Sequence, residues 1–79
     1  MKINKIMTDK AILETLGKRL SRRRIDMQLT QADLAHEAGV SKRTVERIEA
    51  GYSSQTANLI RLCRVLDLVS GLEQWLPET

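Results

Sequence analysis

The sequence predicts an all-α chain of four or five short helices, and three observations carry that expectation. Apolar residues recur at helical spacing along most of its length. Residues that start or stop helices fall between these runs, and no segment alternates apolar and polar residues as a half-buried strand does. Of its 79 residues, 42% are hydrophobic and 29% charged, the balance of a globular chain rather than a disordered tail. A single domain over residues 1–79 is expected, with a core so modest that a partner subunit would help to cover it.

The first helix is expected over residues 9–26, where Leu13, Leu16 and Leu20, with Ile12 beside them, share one face. Thr8 or Asp9 can cap its start. Gly17 interrupts the pattern at a cost of up to about 1 kcal/mol relative to alanine, so either a close packing neighbour requires it or the helix is locally weak. Thr30 with Asp33 three residues later has the form of a capping box with the shorter acid, and Leu34, Ala35 and Ala38 follow on one face, which places the second helix at 31–38. Gly39 can end that helix in the left-handed conformation, Val40 can turn inward and Ser41 can cap the next one.

The third helix is expected over 42–50, where about 100° of rotation per residue sets Val45 and Ile48 opposite Arg43, Glu46, Arg47 and Ala50. Gly51 stops it and Tyr52, Ser53, Ser54 and Gln55 form a loop. From about residue 56, Leu59, Leu62, Cys63 and Leu66 stand at i, i+3, i+4 and i+7, the signature of a fourth helix. Ser70 is expected to cap a last short helix reaching residue 76, which Pro77 terminates.

Several function classes are expected to be absent. One cysteine, Cys63, inside the apolar run LIRLCRVLDL, reads as core rather than as part of a disulfide framework. One histidine, His36, no cluster of metal ligands and no glycine-rich nucleotide loop argue against an enzyme, a metal or a cofactor. No run approaches the roughly 20 apolar residues that cross a bilayer, and MKINKIMTDK lacks a secretory apolar block, so a cytoplasmic chain with no membrane partner is expected.

The formal net charge is only +3, yet it is clustered: KRLSRRR (residues 18–24) holds five cations and no anion, and KRTVER holds three cations and one acid. Such clusters fit either a solvated helix face or a polyanionic partner. The spacing around the second cluster is informative. A small residue at Ala35, a Gly-Val-Ser turn and apolar residues at Leu34, Val40, Val45 and Ile48 meet the steric needs of two short helices crossing through a tight turn.

The run LTQADLAHEAGVSKRTVERIEAG, followed by a loop and an apolar helix, resembles the DNA-binding domain of the phage repressor and Cro type, the xenobiotic-response-element regulators of bacteria. The resemblance covers residues 17 to about 68. It implies a compact five-helix domain, usually dimeric, that places its third helix in the major groove of operator DNA. On that reading Arg43 and Arg47 are expected to read guanine edges, Lys42 to read guanine or hold phosphate, and Thr44 to touch a base or simply cap. Gln31 and Ser41 match phosphate-contacting positions of the family, and Arg24 and Glu49 match its ion pair between the first helix and the end of the third.

The loop departs from many relatives, which carry basic residues there. Ser53 and Ser54 must instead offer hydroxyl and backbone donors to phosphate, while Arg19, Arg22 and Arg23 either add positive potential or form a solvated face. The closing run LVSGLEQWL sets Leu68, Val69, Leu72, Trp75 and Leu76 at the end of a small domain, where three coverings are open: the chain's own core, a homodimer seam, or a groove for another protein. Family members with similar tails often accompany a kinase-like toxin. The expected function is therefore a homodimeric transcriptional repressor of a near-palindromic double-stranded DNA operator, with an antitoxin or adaptor as the alternative.

Overall fold

The computed structural model of the protein describes residues 2–78; short polar side chains start its first three helices and left-handed residues follow the ends of its first four. Five helices run in order: α1 (Asp9–Asp26), α2 (Gln31–Ala38), α3 (Lys42–Glu49), α4 (Thr56–Val65) and α5 (Ser70–Trp75). Among the described residues there is no strand.

At the starts of α1, α2 and α3 a free N–H group is met by a side-chain oxygen. Thr8, not Asp9, caps α1 by accepting from the Ala11 N–H at 3.1 Å. At α2 the box is reciprocal: the Thr30 hydroxyl accepts from the Asp33 N–H and the Asp33 carboxylate from the Thr30 N–H, each at 3.0 Å. Donation to the carboxylate from the Thr30 N–H foremost, and then from the Thr30 side chain, holds the Asp33 carboxyl below its usual range. Ser41 caps α3 by accepting from the Thr44 N–H at 3.0 Å.

The ends of α1 to α4 use one device, an N–H reaching back five residues past a left-handed residue. Leu29 bonds the Arg24 carbonyl, Val40 that of Ala35, Tyr52 that of Arg47 and Leu68 that of Cys63, at 2.8–3.1 Å. The left-handed residues are Gln28, Gly39, Gly51 and Asp67. Glycine takes this conformation without penalty at two of the four; at the others a side chain tolerates it at a cost of about 1 kcal/mol.

Three boundaries differ from the sequence expectation. Helix α3 closes at Glu49, with Ala50 as its cap residue, because the turn through Gly51 already begins there. Ser70 is the first residue of α5 rather than its cap; the Gly71 and Leu72 N–H groups bond the carbonyls of Leu68 and Val69, so the turn starts earlier in the chain. The same helix stops at Trp75, with Leu76 as its cap residue.

The core consists of Leu20 from α1, Leu34 and Ala35 from α2, Val45 and Ile48 from α3, Leu62 from α4 and Leu66 just beyond it. Helices α2 and α3 pack on each other, α1 closes over α3, and α4 closes over α2 and α3. Leu68 borders this cluster, and so does Cys63, whose thiol burial pushes its pKa upward. No helix of the described residues is long and apolar enough to cross a membrane.

Gly17 is explained by a close neighbour. A Cβ there would lie 2.5 Å from the Glu49 carbonyl oxygen and 2.6 Å from that of Ile48, so α1 meets the backbone at the end of α3. Backbone atoms cannot rotate aside as a side chain can. Gly17→Ala is therefore expected to lower stability by about 1–3 kcal/mol through overpacking. Gly71→Ala, where nothing lies within 4 Å, should be neutral or gain up to about 1 kcal/mol from helix propensity. Urea unfolding midpoints of the two variants check this, and equal stability of both would refute so close an approach of α1 to α3.

Candidate nucleic-acid interface

Helix α3 is held by one flank and exposed along the other. Val45 and Ile48 are buried, whereas Lys42, Arg43, Glu46 and Arg47 are exposed, with Arg43 and Arg47 one turn apart on the same face. Its first turn contains no acid and opens with two cations. The N-terminus of a helix carries partial positive charge, so each cation there costs roughly 0.3–1 kcal/mol. A chain that accepts this cost presents an excess of positive potential, which suits an anionic partner.

The direction of α3 is set at its other end. The Arg24 guanidinium grips the Glu49 carboxylate with two bonds, Nε to Oε2 at 2.7 Å and Nη2 to Oε1 at 3.1 Å, with the side chains only 12% and 6% exposed. Its Nη1 donates to the Leu29 carbonyl at 2.8 Å, and Nη2 reaches the Ser21 hydroxyl at 3.4 Å. The Gln31 amide donates to Glu49 Oε1 at 3.1 Å. One node thus ties α1, the α1–α2 turn, the first residue of α2 and the last residue of α3. An amide nitrogen has two hydrogens, so Gln31 keeps a second donor at the start of α2.

Four arginines divide according to where their donors go. Arg24 is consumed in the node. Arg23 donates through Nε to the Leu66 carbonyl at 2.9 Å and so closes the end of α4 from α1. Arg22 pairs with Asp26 at 3.1 Å on the open surface, where such pairs contribute little. Arg47 lies with its guanidinium carbon 4.6 Å from the centroid of the Tyr52 ring.

The remaining predicted site residues surround α3. The Ser41 hydroxyl is 2.9 Å from that of the half-buried Thr44, so both are engaged with each other at the start of the helix. Ser53 and Ser54 are exposed in the loop beyond its end. Three pairings escaped the sequence: Arg23 with Leu66, separated by 43 residues, and Gln31 with Glu49, separated by 18, carry no local signal, whereas Arg47 with Tyr52 could have been found from the spacing across Gly51. Among the described residues no group of three or more His, Cys, Asp or Glu side chains forms a metal site.

The C-terminal apolar residues are covered only in part. Leu68 packs against the core and Val69 and Leu72 are half-buried, but Trp75 and Leu76 remain 73% and 69% exposed. With Ile60 and Cys63 they line an open apolar crevice of about 470 Å³ between α4 and α5.

Residues 20–74, more than half of the chain, match a family model described as helix-turn-helix. The match takes in α2, the turn at Gly39 and α3, and extends through α4 into α5.

Removing the cation of the node strands a carboxylate that has almost no access to water. Arg24→Ala is expected to cost about 3–5 kcal/mol, measured by urea unfolding. A loss below about 1 kcal/mol would mean that Glu49 finds other solvation and that the node does not hold α3.

Proposed function

The chain belongs to the helix-turn-helix family of the phage repressor and Cro type, and from that premise we propose that it is a homodimeric transcriptional repressor of a near-palindromic operator. Its helix pair is a DNA-binding unit and the protein a transcription regulator. In the proposed complex α3 lies in the major groove, Arg43 and Arg47 hold guanine O6 and N7, and Lys42 and Thr44 contact neighbouring bases. Gln31, Ser41, Ser53 and Ser54 hold phosphate, fixing register without reading sequence. The observation that carries this reading is the cationic exposed flank of a helix whose other flank is buried: packing aims the cations.

Trp75 and Leu76 support the dimer. Exposed apolar groups of this size beside an open crevice are what a two-fold seam would remove from water. A molecule of 33 × 27 × 23 Å also suits two α3 helices one DNA turn, about 34 Å, apart. Repression needs only occupancy of the site and no activating surface. A second reading shares the same crevice: as an antitoxin or adaptor the protein would bury Trp75 against a different protein.

Two measurements test these claims. Arg43→Ala and Arg47→Ala should each weaken operator binding by about 1–3 kcal/mol at unchanged helicity, and wild-type affinity should fall steeply with salt. Binding indifferent to salt and to both substitutions would exclude the groove assignment. Trp75→Glu should convert the dimer to monomer by sedimentation. A wild-type chain monomeric at high concentration, yet recovered from its host with a second protein in salt that strips DNA, would favour the antitoxin reading.

A further inference from the structure

We propose that Tyr52 is a positioning residue for Arg47, holding its guanidinium in the orientation from which it reads a base. The inference rests on α3 being the DNA-reading helix. It starts from the way α3 ends. The Tyr52 N–H bonds the Arg47 carbonyl at 3.0 Å and the Gly51 N–H bonds that of Ile48 at 3.1 Å, across a left-handed Gly51. This closure brings together the side chains of Arg47 and Tyr52, the two residues joined by the bond that spans five positions, a place where an apolar contact is usual. Here the contact is a cation over a ring, at 4.6 Å.

The ring is anchored at its root. A Cβ on Gly51 would meet Glu14 of α1 at 2.6 Å from Cγ and 2.8 Å from Cα, so the turn that carries Tyr52 is clamped against α1. The guanidinium, by contrast, stays usable. A guanidinium carbon 4.6 Å over the ring centre is attracted through its charge and consumes no N–H donor, so the five donors in its plane keep the edge that matches guanine. Arg24 and Arg23 have spent donors on the protein itself. Among the described residues none of the Arg47 donors is bonded to a carbonyl or carboxylate, so orientation and recognition do not compete. A long flexible side chain oriented in advance loses less freedom on binding.

The alternative is that Tyr52 only fills the usual apolar place at a helix end. Leucine fills that place equally but has no π face, and phenylalanine keeps the face while losing the hydroxyl. The test uses the full chain, an operator selected from random duplexes and a non-cognate duplex of equal length. Dissociation constants are measured for wild type, Tyr52→Phe and Tyr52→Leu, each with Arg47 and with Arg47→Ala, alongside urea midpoints. Tyr52→Phe should match wild type. Tyr52→Leu should lose about two- to fivefold on the operator, nothing on the non-cognate duplex, and nothing once Arg47 is alanine. Because the operator to non-cognate ratio cancels any unfolded fraction, a mere loss of stability does not imitate this result. The proposal is overturned if Tyr52→Leu costs nothing, costs the same without Arg47, or is matched by Tyr52→Phe, which would assign the hydroxyl to DNA directly. A wild-type chain that selects no sequence overturns the DNA reading itself, before any variant is compared.

Discussion

The bidentate pair between Arg24 and Glu49 is the constraint on which the rest of the molecule depends. Two charges removed from water gain little net stability, since the attraction between them is offset by lost hydration. What the pair confers is geometry, because a guanidinium fork accepts a carboxylate in few orientations. Glu49 is the last residue of α3, and its carboxylate is also held by Gln31 at the first residue of α2. The two helices of the DNA-binding unit therefore meet at a charge fixed by a third helix, and their crossing is set by more than apolar packing.

Close backbone approach makes that node possible. Gly17 admits the carbonyls of Ile48 and Glu49 to the surface of α1, and Gly51 admits Glu14 to the turn that follows α3. The two glycines, 34 positions apart in the chain by their numbers, act on the same contact from opposite sides. Helix propensity alone would count Gly17 as a defect, yet the cost of a missing methyl group is small against that of a steric clash with main chain.

The clustered positive charge is likewise partitioned by structure. KRLSRRR reads as one basic stretch, but Arg24 lies in the node, Arg23 closes α4 and Arg22 pairs with Asp26. What reaches outward on α3 is a smaller set, Lys42, Arg43 and Arg47, at the positive end of a helix dipole and one turn beyond it. Charge density along a sequence is therefore a poor measure of how much charge a surface offers. The fate of each donor decides it.

The helical content, the capping box at Thr30 and Asp33, the turn at Gly39 and the apolar flank of α3 were legible because each depends on residues within about one turn of each other. Arg24 and Glu49 could be paired in advance only through the family resemblance. The role of Gly17, the capping of Leu66 by Arg23 and the partial exposure of Trp75 and Leu76 were decided by tertiary structure alone. The physical reason is range. Hydrogen bonds and periodicity along one helix are written in neighbouring residues, but a clash, a donor and a covered surface depend on which distant segment arrives, and only the packed chain brings it there.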